Sequence, residues 1–203
     1  MLPPRPVRAA ATVGVFVALL WGIETLDRTV FGGSLDDGGI VPRSVDGLDG
    51  ILFAPLLHYG FGHLAANTVP LLVLGFLATA GGIGQFVAVT AVVWFLGGFL
   101  TWLTGAGITV GASGLIFGWL AFLLVRGFFA RSGRQIVLAV ALFALYGGVL
   151  WGVLPGTPGV SWQAHLFGAL SGVLAARLVA SADRSWRPRV GWAGAGPSDR
   201  AVK

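Results

Sequence analysis

A serine between small residues, in Gly111-Ala112-Ser113-Gly114, and a histidine in Ala164-His165-Leu166-Phe167-Gly168 are the groups best suited to chemistry. A neutral imidazole beside a serine hydroxyl is the general-base pairing of acyl transfer. Ser113 reads as the start of a helix, where unpaired N–H groups and the positive dipole end can hold an oxyanion. The run lacks the second spacing residue of the soluble hydrolase elbow Gly-x-Ser-x-Gly. Taken alone it fits helix packing as well as catalysis, because Gly114-x-x-x-Gly118 is a small-residue ridge. His63 and Asn67 stand at i,i+4 and share a helix face. Both can donate to negative charge on a carbonyl oxygen, and both can equally tie one helix to another. His58, five residues before His63, falls off that face and reads as a loop residue. The helices that hold these groups contain no Asp or Glu to orient His165. The expectation is therefore a Ser-His dyad with its imidazole held by packing.

These residues must be positioned by apolar elements. Of 203 residues, 56% are hydrophobic and 10% charged, too little polar surface for a soluble domain. Six charge-poor runs stand out, at about 9–26, 64–80, 83–103, 113–129, 136–154 and 164–180. Each is long enough to span a bilayer core of roughly 30 Å at about 1.5 Å per residue. Gly and Pro clusters at 80–82 and 155–159 punctuate them. The expected fold is an all-α, six-transmembrane-helix bundle. It forms one membrane domain over 9–182, between a cytoplasmic segment 1–8 and a basic cytoplasmic tail 183–203. Arg5 and Arg8 precede the first run, as in a secretory signal. That run, however, ends in Glu24-Thr25-Leu26-Asp27-Arg28 without a small-x-small cleavage site, so an uncleaved span is expected.

Charge placement sets the expected orientation. With the N-terminus inside, eleven Lys and Arg residues fall on the cytoplasmic side and only Arg28 and Arg43 outside. Both termini are then cytoplasmic. Glu24, Asp27, Asp36, Asp37, Asp46 and Asp49 lie at or beyond the outer end of the first span. The net charge of +5 is thus a topology signal rather than a sign of a nucleic-acid partner. One Lys against twelve Arg, with many Ala and Gly, suits a GC-rich bacterial genome. In this orientation spans two, four and six run from outside to inside. His63, Asn67, Ser113 and His165 then gather at the outer face. Without cysteine, neither a disulfide framework nor thiolate chemistry is available.

The set His58-x₄-His63-x₃-Asn67, Gly111-x-Ser113-Gly114 and Ala164-His165-x-x-Gly168 resembles the rhomboid family of intramembrane serine proteases. The likeness covers the six-span core, about residues 9–180, with the motifs in the family's spans and order. It implies Ser113 as nucleophile, His165 as base, and His63 and Asn67 as oxyanion partners alongside the Ser113 N–H. It also implies cleavage of single-span or multi-span membrane proteins near the membrane face, without cofactor or metal. Loop 28–57 matches the family's first loop, which lies partly in the membrane. Many members carry Trp-Arg there, where this chain has Pro42-Arg43. The position four after the nucleophile is often Tyr, packed on the base, and here is Phe117.

Rival readings make different demands. An intramembrane metalloprotease needs His-Glu-x-x-His on a helix, and no Glu follows the histidines here. A zinc site from His58, His63 and His165 lacks a carboxylate and suffers from the i,i+5 spacing. A small membrane transporter would carry buried charges or broken helices along a path through the bilayer. A catalytically silent relative that only binds transmembrane helices has no need for an intact Ser/His pair.

Overall fold

The computed structural model describes residues 2–186. The expected basic tail lies outside the described residues from position 187 on. Six long helical segments dominate: α1 (Pro6–Leu26), α2 (Phe61–Ala78), α3 (Ile83–Thr104), α4 (Ser113–Phe129), α5 (Gly133–Tyr146) and α6 (Trp162–Trp186). Five segments are long and apolar enough to cross a membrane, and α4, apolar but only 17 residues long, is the shorter sixth. Apart from one antiparallel bridge between Ile40 and Thr109, the described residues contain no strand.

Helix ends extend past the apolar runs because polar residues at the ends keep helical hydrogen bonds without adding hydropathy. The first segment continues through a π turn, Asp27–Phe31, before Gly32 stops it in the left-handed region. A tight 3₁₀ stretch, Gly147–Val153, extends α5. Gly60 and Gly82, both at positive φ, precede α2 and α3.

Helix α4 is the centre of the core. Leu115, Ile116, Phe117, Trp119, Leu120, Phe122 and Leu123 are all buried. At 17 residues it stands at the short end of the range that crosses a bilayer core, and its neighbours surround it with protein. Its closest neighbour is α6. A methyl on Gly168 would run into the Gly114 carbonyl, and one on Gly172 into that of Gly118. The two small ridges therefore bring these backbones into contact, as the spacing of small residues predicts.

The first loop, between α1 and α2, packs into the domain at both ends. Arg43 Nη1 donates to the Gly105 carbonyl (2.9 Å) at the C-terminal end of α3. Trp102 of α3 returns a bond from Nε1 to Ser44 O (2.8 Å). Pro42-Arg43 thus anchors the loop on the orphan carbonyls of a helix end, where a cation is also favoured by the dipole. Trp94, inside a π turn of α3, donates to Ile51 O (2.9 Å). Near α1, Arg28 reaches Asp36 of the loop and the carbonyl of His58.

Candidate active site

Ser113 opens α4 inside the protein. The segment before it is fixed at consecutive residues: Gly111 N–H donates to Ala54 O (2.8 Å) and Ala112 N–H to His58 Nε2 (3.3 Å). Gly111 has φ +119°, a conformation that favours glycine, and a Cβ there would stand 2.7 Å from the His63 ring. As the first residue of a helix, Ser113 has an N–H with no i−4 carbonyl to bind.

The α4–α6 contact brings imidazole and hydroxyl together. His165 Nε2 lies 2.8 Å from Ser113 Oγ across 52 residues of sequence. Its other nitrogen, Nδ1, lies 3.0 Å from Gly152 O in the 3₁₀ stretch after α5. A carbonyl only accepts, so Nδ1 carries the proton and Nε2 turns its lone pair to the serine. Phe117, one turn below Ser113, lies flat on the imidazole with centroids 4.1 Å apart and planes 8° from parallel. The expectation that packing alone holds the imidazole is thus incomplete, because the Gly152 carbonyl orients it as well. Phe117 keeps the ring contact that a tyrosine would make. Ser113 and His165 are both half-buried, so the pair is enclosed but reachable.

Helix α2 supplies the remaining groups. The His63 ring rests against Gly111 and meets His58 edge-on at 5.1 Å. Asn67 is buried, and its amide nitrogen donates to His63 O (3.0 Å), which leaves a second N–H on that amide. His58 is a loop residue, as its spacing predicts, but one with a defined task. It is 1% exposed, and burial, with the His63 ring close by, lowers its pKa to about 4. It is therefore a neutral acceptor for the Ala112 N–H across the neutral range.

Two contributors have no signature in the sequence motifs. Gly152 acts through its backbone and leaves room for the imidazole: a Cβ there would stand 2.9 Å from Phe117 Cζ and 3.0 Å from His165 Nδ1. A glycine amid the bulky run Val149-Leu150-Trp151-Gly152-Val153 is the one available hint. Ser161 joins the start of α6 to the loop before α4. Its hydroxyl accepts from Thr109 Oγ1 (3.1 Å) and from Ala164 N–H (3.4 Å).

Comparison with known proteins shows the family. The family pattern described as Rhomboid domain matches residues 47–182. Uncharacterized proteins of Mycobacterium bovis and Mycobacterium tuberculosis are each 51% identical over 194 residues, covering 91% of this chain and 80% of theirs. One from Mycobacterium leprae is 52% identical over 186 residues, covering 87% of this chain and 73% of its own length.

Proposed function

The chain belongs to the rhomboid family, and we propose on that premise that it is an intramembrane serine endopeptidase that cuts transmembrane segments of other membrane proteins. The observation that carries this reading is the 2.8 Å approach of His165 Nε2 to Ser113 Oγ, with Nδ1 held on Gly152 O. A packing role for either residue does not require that alignment, nor does a silent helix-binding relative.

The reaction runs as two acyl transfers. The Ser113 oxygen attacks the scissile carbonyl while its proton passes to His165 Nε2. The new imidazolium keeps its Nδ1–H on Gly152 O, a dipole in the place of the usual acid. Charge on the carbonyl oxygen is taken by the Ser113 N–H, with the second amide N–H of Asn67 and His63 as further donors. His165 then gives its proton to the leaving amine, and water attacks the acyl-enzyme by the same route in reverse. No cofactor enters any step.

The protein is a multi-pass integral membrane protein, and its relatives here are mycobacterial. The charge pattern supports a cell-membrane location with both termini cytoplasmic and the dyad near the outer face. Substrates then reach it from the bilayer, their transmembrane helices giving way near that face.

The test is cleavage of a generic transmembrane substrate by the purified protein in detergent. Ser113→Ala and His165→Ala should each abolish it, and the double variant should be no worse than either, since residues acting as a unit are non-additive. A fluorophosphonate probe should label the wild type and fail on Ser113→Ala. Retained proteolysis in Ser113→Ala would end this reading.

A further inference from the structure

Three carboxylates meet at the outer end of the first helical segment: Glu24 of α1, Asp27 of the π turn, and Asp36 of the first loop. They are 2%, 2% and 6% exposed, and each can place one oxygen within 4.8 Å of those of the other two. Arg28 answers part of their charge, with Nε 2.8 Å from Glu24 Oε1 and Nη2 2.8 Å from Asp36 Oδ2. One guanidinium against three carboxylates leaves negative charge in excess in a buried place, a costly arrangement.

Asp27 Oδ2 and Asp36 Oδ1 are buried and have no hydrogen-bond partner among the described residues. The other oxygens of the same two carboxylates are engaged: Asp27 Oδ1 accepts from Leu35 N–H (2.9 Å) and Asp36 Oδ2 from Arg28. Asp27 Oδ2 stands 4.0 Å from the Arg28 nitrogen that Glu24 binds, so it faces the cluster. Buried polar oxygens are seldom left unpaired, and two in one cluster call for a shared partner.

A hard divalent cation fits this arrangement of oxygens. Calcium binds oxygens at about 2.3–2.6 Å, so two of its ligands stand at most roughly 5 Å apart, which the 4.8 Å spread satisfies. Magnesium demands near-ideal octahedral geometry and keeps more of its waters, so it suits three converging carboxylates less well. We propose that Glu24, Asp27 and Asp36 form a binding site for one calcium-class cation, pinning the first loop to the end of α1. The site heads a chain of contacts toward the dyad. Arg28 Nη2 also donates to His58 O (3.2 Å), and the His58 ring accepts the N–H of Ala112, beside Ser113. Any effect on turnover rests on the protease reading, whereas the binding itself does not.

The test uses full-length Ser113→Ala protein in detergent, stripped with chelator, so that binding is read apart from activity. Equilibrium dialysis with labelled calcium should give one saturable site per chain, and calcium should raise the thermal midpoint more than magnesium does. Asp27→Asn and Asp36→Asn should each weaken calcium binding by about tenfold or more, since affinity follows the ligand charge count. Asp37→Asn, at an exposed neighbour, should leave binding unchanged. Absence of saturable binding to the unsubstituted loop at millimolar calcium overturns the proposal, whether or not the Asn variants fold. Equal binding in both Asn variants overturns it as well.

Discussion

The carbonyl of Gly152 accepts the Nδ1 proton of His165 at 3.0 Å, where a soluble serine hydrolase would place a carboxylate. A carbonyl fixes the tautomer and the ring's direction without bringing a charge into the membrane domain. It carries less countercharge for the imidazolium, and the stacked ring of Phe117 supplies the rest of the constraint by shape.

Gly152→Ala should therefore act on chemistry. The added methyl meets both Phe117 Cζ and His165 Nδ1 at 3.0 Å or less, so the imidazole must turn or shift. A misplacement of that order costs about 10² in rate. Cleavage assays should show that loss in kcat with KM nearly unchanged, and fluorophosphonate labelling should slow in parallel. Normal kcat would mean that the base does not depend on this carbonyl.

The α2 pair predicts a different pattern. His63→Ala and Asn67→Ala should each lower kcat by about 10²–10³ and leave KM nearly unchanged, because the proposed oxyanion donors act on charge that exists only in the transition state. Asn67→Asp keeps the size of the side chain and removes its donors, so it should be no better than Asn67→Ala. If Asn67→Asp keeps full kcat, Asn67 is not a donor to the transition state.

Much of this was legible from the chain, for physical reasons that differ by residue. The apolar helices follow from run length, and five of them are long and apolar enough to cross a membrane. Ser113 and His165 could be paired because spacing places each at the head of a helix with a glycine ridge on the contact face. Helix ends were less legible: Arg134, Gln135, Trp162 and Gln163 lie outside the apolar runs yet inside α5 and α6. The carbonyl of Gly152 has no side-chain signature, and the His58–Ala112 bond joins residues 54 apart. Glu24, Asp27 and Asp36 read only as outer-face acids, because nothing in their spacing shows the loop folding back onto α1.

The glycine ridge predicts an effect on stability. Gly172→Ala drives a methyl into the Gly118 carbonyl at the closest α4–α6 contact. Overpacking of a tight contact costs typically about 1–3 kcal/mol, and here the obstacle is backbone, which cannot rotate away. Thermal unfolding in detergent should show a clear loss for Gly172→Ala. Gly84→Ala, where a Cβ meets nothing within 4 Å, should change little. Equal midpoints for the two variants would contradict the close α4–α6 packing.

Orientation is tested by reporter fusions. From the eleven-to-two charge asymmetry, fusions after Lys203 and within 126–134 should read cytoplasmic, and one within 30–49 external. An external C-terminus would overturn the proposed outer-face placement of the dyad.

The last prediction concerns His58 and pH. Its ring faces His63 at 5.1 Å, its carbonyl receives Arg28, and its Nε2 accepts the Ala112 N–H. In the fold its pKa is lowered from 6.5 to about 4, chiefly by burial. A depressed histidine pKa means that the unfolded chain takes up the proton first. The stability His58 contributes is therefore complete above about pH 6.5 and is lost progressively as pH falls toward 4. Over that window the full shift corresponds to about 3 kcal/mol in the limit. His58→Gln retains a neutral acceptor for the Ala112 N–H but cannot titrate. Against wild type, it should be less stable or equal at pH 7.5, and it should lose less stability on going to pH 4.5. Thermal midpoints of the two proteins at several pH values check this directly. Parallel pH profiles would show that the loop histidine does not couple protonation to the ordering of the segment before Ser113.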